Sequence, residues 1–304
     1  MTVKDGRLDR IVCGVVITYL PSDGIADRLA AIIEQVDVLA IVDNSASLAL
    51  DASVEHLASE LGVHCISNAQ NLGIATALNQ GVVFAAAHGA DWVVFFDQDS
   101  KPIEAFRQEF ESVWTNYREA TPLGIVGCNY VIGGTAMSRF PTDSVDPENY
   151  FLTDSVITSG SAYQMAMLSK LGPFKDEFFI DGVDIEYCWR ALTNGYRVCR
   201  TKKPLLEHAL GTPTYHKFLG HRLGTSNHRA FRRYFMMRNA VLIFREYFFR
   251  LPRLSLHLLG VQLKWAILLF AFETDKRRKL SLALRGLWHG LIHRVDPEPW
   301  RMIK

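Results

Sequence analysis

Within its first hundred residues the chain repeatedly runs a short, unbroken apolar stretch into a segment of helical spacing. That alternation constrains the fold more than any other feature. Residues 11–19, 38–42 and 63–66 are such stretches, and Trp92-Val93-Val94-Phe95-Phe96 is a fourth. Apolar runs that do not alternate with polar residues are strands covered on both faces. Between them, residues 25–36 put Ile25, Leu29, Ile32, Ile33 and Val36 on one helical face, residues 54–61 have helical character, and Asn71-Leu72-Gly73 opens a helix reaching about His88. Strand–helix alternation of this kind predicts an α/β fold with a mostly parallel central sheet and helices on its faces.

Ligands of open α/β sheets bind beyond the carboxyl ends of the strands. Those ends carry Thr18-Tyr19, Asp43-Asn44-Ser45 and Asp97-Gln98-Asp99. On an extended chain Asp97 and Asp99 point the same way and Gln98 elsewhere. Two converging carboxylates form a hard-oxygen site suited to Mg²⁺ or Mn²⁺, completed by phosphates and water. The plainer alternative is a solvated strand end. An acid closing the second strand is placed to accept hydrogen bonds from a base or ribose. No Gly-x-Gly-x-x-Gly follows the first strand and no Gly-Lys-Ser/Thr occurs, which disfavours a dinucleotide oxidoreductase or a P-loop ATPase.

Further on, residues 102–117 are helical, 123–128 form a strand and 133–147 a polar loop near the site. Small residues in Thr158-Ser159-Gly160-Ser161 permit close approach of a substrate, or make a simple turn. A second acidic group, Asp181-Gly182-Val183-Asp184-Ile185-Glu186, precedes a helix ending at Asn194-Gly195. Acids there complement the helix dipole, and one of them could also take a proton from an acceptor hydroxyl. His208 sits beside Ala209-Leu210-Gly211, a context that suits a site loop.

Net charge is +1, but from Ser226 to Lys304 there are 16 Lys and Arg against 5 Asp and Glu. The rest of the chain is correspondingly acidic, so the two parts present different surfaces. In the basic part, residues 254–272 form an apolar run containing His257, Gln262 and Lys264, followed by Lys276-Arg277-Arg278-Lys279. A central Lys is costly in a membrane span. The pattern predicts an amphipathic segment lying on an anionic membrane; a helical hairpin packed on the rest of the protein is the alternative. A nucleic-acid surface is disfavoured. Five scattered cysteines without metal-ligand spacing predict reduced thiols in a cytoplasmic protein, and residues 1–10 contain no signal-peptide core.

The residues named so far, in their order and spacing, resemble the inverting family 2 glycosyltransferases of GT-A fold. More narrowly they resemble the bacterial dTDP-rhamnose-dependent rhamnosyltransferases of cell-surface polysaccharide and O-antigen assembly. The matching pieces are Val15-Val16-Ile17-Thr18-Tyr19, Asp43-Asn44-Ser45, Asn71-Leu72-Gly73-Ile74-Ala75 with Asn79, Asp97-Gln98-Asp99-Ser100, Thr158-Ser159-Gly160-Ser161, Phe179 to Glu186, and Tyr234 with Arg238-Asn239.

The resemblance implies a GT-A catalytic domain over 1–225, with a nucleotide-sugar half at about 11–100 and an acceptor half at about 101–225. A helical, basic extension would follow over 226–304. It implies that Asp97 and Asp99 bind Mg²⁺ or Mn²⁺, with His208 as a late metal- or phosphate-facing residue. Thr18, Tyr19, Asp43, Asn71, Gly73, Gln98, Ser159 and Gly160, with Asp97, would line the donor pocket. Asp184 would be the general base, supported by Glu186, with Asp181 the rival for that role. Val183 and Glu186 stand where the common Glu-Asp-x-Asp form has acids. The implied partners are dTDP-rhamnose, a lipid-linked glycan acceptor and the inner face of the cell membrane; another UDP-, GDP- or dTDP-sugar donor on the same machinery is the alternative. A haloacid-dehalogenase-like phosphatase would need its Asp-x-Asp after the first strand. A non-catalytic assembly subunit would tolerate loss of Asp99 or Asp184.

Overall fold

The computed structural model describes residues 3–4, 7–8, 10–21, 23–45, 48–132, 135–136, 149–208, 214–218, 221–225 and 228–295. The chain forms two compact units. One comprises Met1–Phe174 with Tyr187–Ala209, the other Lys175–Glu186 with Leu210–Lys304.

The first unit is built on a sheet whose core is four parallel strands: Val12–Thr18, Val38–Asp43, His64–Ser67 and Trp92–Asp97. They are ordered 64–67, 38–43, 12–18, 92–97 across the sheet. Beyond Trp92–Asp97 the strand Ser161–Gln164 runs antiparallel, followed by Leu123–Ile132, Arg197–His208 and Tyr150–Leu152. The sheet is mixed and the fold is α/β.

Every residue of Val12–Thr18 is buried, because helices cover both faces. On one face Val12 and Val16 join Leu29, Ile32, Phe106 and Phe110 in a single apolar cluster. On the other, the helix Ile74–Ala87 lies so close that a Cβ on Gly81 would collide with the Val15 side chain. Trp92 stacks on Trp114 at 4.6 Å between ring centroids, anchoring the helix Phe106–Asn116. All five cysteines are free. Burial pushes the thiols of Cys13 and Cys128 up to about 12, so they stay protonated and inert.

The second unit contains the helices Ala230–Tyr247, Pro252–Phe272 and Lys276–Leu291. Lys276–Lys279 opens the last helix instead of closing the apolar one. Asp275, in the left-handed conformation (φ 54°), ends the turn between them. The basic tail is also less exposed than its composition suggests. Arg233, Arg238 and Lys279 are buried. Arg233 and Lys279 both bind the carboxylate of Glu273, whose side chain is 0% exposed; Lys279 Nζ lies 2.9 Å from it. Burial depresses the Arg233 guanidinium from its ordinary value, and Glu273 opposes that shift. Gly286 and Gly290 let the last helix close on the first. A Cβ at Gly286 would strike the Tyr234 carbonyl, and one at Gly290 would sit 2.9 Å from the Arg238 carbonyl.

Candidate active site

Strand register gathers the first group of candidate residues. Thr18 is the Cα partner of Asp43, Asp43 of Ser67, and Ile17 of Asp97, so the carboxyl ends of the four parallel strands lie level. At this edge Thr18 Oγ1 donates to Asp43 Oδ1 at 2.5 Å and Ser45 Oγ donates to the same oxygen at 2.8 Å. Asp43 is 0% exposed, and its Oδ2 has no hydrogen-bond partner among the described residues. A buried carboxylate oxygen left unpaired is costly. Here it is an acceptor held in place by two hydroxyls.

Behind Asp43, Asn44 Nδ2 donates to the Gly73 carbonyl at 3.1 Å, and Asn68 bridges Asn44 Oδ1 and Gln80 Oε1, each at 2.9 Å. Asn71 Oδ1 accepts from Gly73 N at 2.9 Å, closing an Asx turn. Gly73 has φ 87°, which permits the chain to enter the helix Ile74–Ala87 directly from that turn. Asn71 and Gly73 therefore shape the loop facing Asp43.

The strand Trp92–Asp97 ends at its last acid, and Gln98 and Asp99 form a turn. Simple alternation therefore does not orient the pair. Gln98 does: its Oε1 accepts from Tyr19 N at 2.7 Å and its carbonyl accepts from Arg28 Nε at 2.6 Å. The middle residue fastens the turn to the exit of the first strand and leaves both neighbouring carboxylates half-exposed. Ser159 supports them from the turn that precedes the strand Ser161–Gln164. Its Oγ accepts from Asp97 N at 3.0 Å and shares a hydrogen bond with Ser100 Oγ at 2.6 Å. Gly160 N donates to the Phe95 carbonyl at 2.8 Å. With φ 68° and Cys128 Sγ against the place of its Cβ, position 160 accepts only glycine without a shift. His208 closes the strand Arg197–His208 as the register partner of Ser100, which sets its backbone beside the acidic turn; its side chain lies outside the described residues. Most of the loop at 133–147 lies outside them too.

Among the described residues no three His, Cys, Asp or Glu side chains converge as a metal set. Two carboxylates at a strand end suit an ion that draws its remaining ligands from phosphate oxygens and water.

The second unit carries the other acids, and each has a different environment. Asp181 is held by Arg232, with Nη2 to Oδ1 at 2.5 Å and Nε to Oδ2 at 3.1 Å. Both carboxylate oxygens are thus committed to the guanidinium in a bidentate pair. Glu186 is 1% exposed, accepts from Tyr247 Oη at 2.9 Å and pairs with Lys175 Nζ at 3.2 Å. Asp184, in the first turn of the helix Val183–Thr193, is half-exposed, and its Oδ1 accepts from Ile185 N at 2.9 Å.

The loop before this helix is strained. Phe179 and Asp181 have φ of 58° and 66°, and Gly182 has φ 79°. Non-glycine residues in that region cost about 1–3 kcal/mol each. Asn239 offsets the cost, its Nδ2 lying 2.9, 3.0 and 2.7 Å from the carbonyls of Phe178, Ile180 and Asp181. Burial and the neighbouring Arg232 push the His228 imidazole down to about 4, so it is neutral at pH 7. Sequence reasoning did not anticipate Arg28, Arg232 or Lys175 in these roles. Arg28 and Arg232 lie 70 and 51 residues along the chain from the Gln98 carbonyl and Asp181 carboxylate they bind, and no spacing rule links these pairs or Lys175 with Glu186.

Residues 14–160 match the family described as Glycosyl transferase family 2. The chain carries a family 2 glycosyltransferase domain. This glycosyltransferase is 28% identical over 250 residues to the dTDP-rhamnosyl transferase RfbF of Shigella flexneri, covering 77% of this chain and 80% of that one. Solved structures share its fold, two of them in complex with sugar nucleotides. Residues 1–349 of S. aureus TarS in complex with UDP-GlcNAc align with a TM-score of 0.56 at 14% identity, over 92% of this chain and 80% of that one. The mannosyltransferase PcManGT of Pyrobaculum calidifontis, in complex with GDP-Man and Mn²⁺, aligns with a TM-score of 0.54 at 18% identity, over 97% and 78%.

Proposed function

We propose that this glycosyltransferase moves L-rhamnose from dTDP-rhamnose, with inversion, onto a lipid-linked glycan during cell-surface polysaccharide synthesis. Residues 1–225 would be the catalytic region and 226–304 its helical extension, working at the inner face of the cell membrane. The observation that carries the donor reading is Asp43 itself: a buried acceptor, fixed by Thr18 and Ser45, at the edge where parallel strands end. An imide N–H of a pyrimidine base is the complementary donor. The likeness to RfbF supports thymidine and rhamnose in particular.

In this reading Asp97 and Asp99 would hold Mg²⁺ or Mn²⁺ against the donor diphosphate, with His208 near the same turn. When bound, the ion supplies charge neutralisation of the leaving group. The chain's own residues do the rest. Gln98, tied to Tyr19 and Arg28, keeps the acidic turn in register with the base pocket. Ser159 and Gly160 fix the floor under Asp97. Asp184 takes the proton of the acceptor hydroxyl as that oxygen attacks the anomeric carbon and the bond to the diphosphate breaks. Asp181 and Glu186, neutralised by Arg232 and Lys175, position the loop and helix that present it.

A transfer assay with purified protein, a rhamnan or O-antigen lipid acceptor and a panel of sugar nucleotides tests this. Rhamnose transfer from dTDP-rhamnose, abolished by a chelator and restored by Mn²⁺, is the expected result. Preferred transfer from a UDP- or GDP-sugar would overturn the donor assignment.

A further inference from the structure

The helix Pro252–Phe272 is amphipathic in the wrong sense for a water-exposed helix. Its exposed positions include Leu256, Leu263, Ile267 and Phe270, at 57, 64, 59 and 68% exposure. They recur at helical spacing along one stripe. Its protein-facing positions include the buried hydroxyl of Ser255 along with Leu258, Leu268 and Leu269. Trp265 lies under the buried Arg233 guanidinium, 5.9 Å from its ring centroid. The following helix repeats the pattern. Leu284, Trp288 and Leu291 are 64, 60 and 53% exposed, while Gly286 and Gly290 face the helix Ala230–Tyr247. Phe249, 91% exposed, precedes both stripes. An aqueous surface does not sustain two such neighbouring stripes without a partner.

The charges around them indicate which partner. Arg250, Arg253, Lys264, Lys276, Arg277, Arg278, Arg285 and Arg294 are all exposed. A second copy of this chain would bring two such basic rims together, at a cost. A bilayer with anionic headgroups complements rim and stripe at once. A membrane crossing does not fit, although the helix has the length and mean hydropathy of a span. Lys264 lies mid-helix, and the opposite face is committed to Arg233, Ser255 and the neighbouring helices.

We propose that the exposed faces of Pro252–Phe272 and Lys276–Leu291 form an in-plane docking surface for an anionic bilayer. The exposed apolar side chains of Phe249, Leu256, Leu263, Ile267, Phe270, Leu284, Trp288 and Leu291 enter the acyl boundary, and the basic rim lies among the headgroups. This surface deepens the membrane-face reading above and rests on it only for the location of the acceptor.

The test uses the full chain and no substrate. Vesicles of phosphatidylcholine with or without phosphatidylglycerol are sedimented with wild type and with the double variant Leu263→Glu, Ile267→Glu. Both positions are exposed, so the variant folds. Wild type should bind the anionic vesicles at low salt and be released in high salt. The double variant should bind at least tenfold more weakly. Brominated acyl chains should quench wild-type fluorescence, and Trp288→Phe should remove most of that quenching. Equal binding by wild type and double variant would overturn the proposal. So would retention through alkaline carbonate extraction, or a wild-type dimer that the double variant dissolves. Donor titrations on the same variants read the catalytic assignment separately, so either idea can fail alone.

Discussion

Asp184→Asn should lower the rate of sugar transfer about 10³-fold while leaving donor affinity and thermal stability near wild type. General base catalysis contributes roughly 10²–10⁴-fold, and the amide keeps the shape of the carboxylate. Asp184 is half-exposed, and an amide oxygen can accept from Ile185 N as its Oδ1 does. The neighbouring acids should behave differently. Asp181→Asn removes the partner that grips Arg232 through both nitrogens in a loop already carrying strain at Phe179 and Asp181. That variant should lose stability along with activity. Steady-state kinetics paired with thermal melts separates the two cases. Loss of donor binding in Asp184→Asn would move the base elsewhere.

Glu273→Gln should destabilise the helical unit by about 3–5 kcal/mol. Removing one partner of a buried ion group leaves uncompensated charge, which carries a cost of that order. Here the loss is shared by two cations, since Arg233 and Lys279 are each 4% exposed and both rely on Glu273. An apolar triple replacement, Arg233→Met with Glu273→Leu and Lys279→Met, should recover most of the loss, because well-packed apolar groups can substitute for a buried ion cluster. Chemical denaturation followed by tryptophan fluorescence reads both variants. Trp265, stacked beneath Arg233, reports on this region.

The parallel core was legible because its strands are apolar on both faces, and acids at strand ends stand out in such a context. Asp43, Asp97 and Thr18 are in register because neighbouring strands start and stop at similar depths, which the lengths of the apolar runs already imply. Less legible were the contacts that give those residues their character. The reason Gln98 follows Asp97 appears only when Tyr19 and Arg28 are seen to hold it. Charge counting also misjudged the tail. It treated Lys276 to Lys279 as one surface patch, whereas helical geometry turns Lys279 inward to Glu273 and leaves the others outside. Beyond residue 100 the strand at 123–128 was legible, but its neighbours in the sheet were not. Ser161–Gln164 inserts antiparallel between Trp92–Asp97 and Leu123–Ile132, a pairing between distant segments that no local periodicity encodes.

The central claim is that Asp43 and the Asp97–Asp99 turn together bind a sugar nucleotide with a divalent ion. Calorimetric titration of the protein with dTDP-rhamnose, with and without Mn²⁺, tests it most directly, with UDP- and GDP-sugars as comparisons. The account predicts binding that is tightest for dTDP-rhamnose, strengthened by the metal, and stripped of its metal dependence in Asp99→Asn. Absence of binding by any sugar nucleotide, or metal-dependent binding that Asp99→Asn leaves intact, would contradict it.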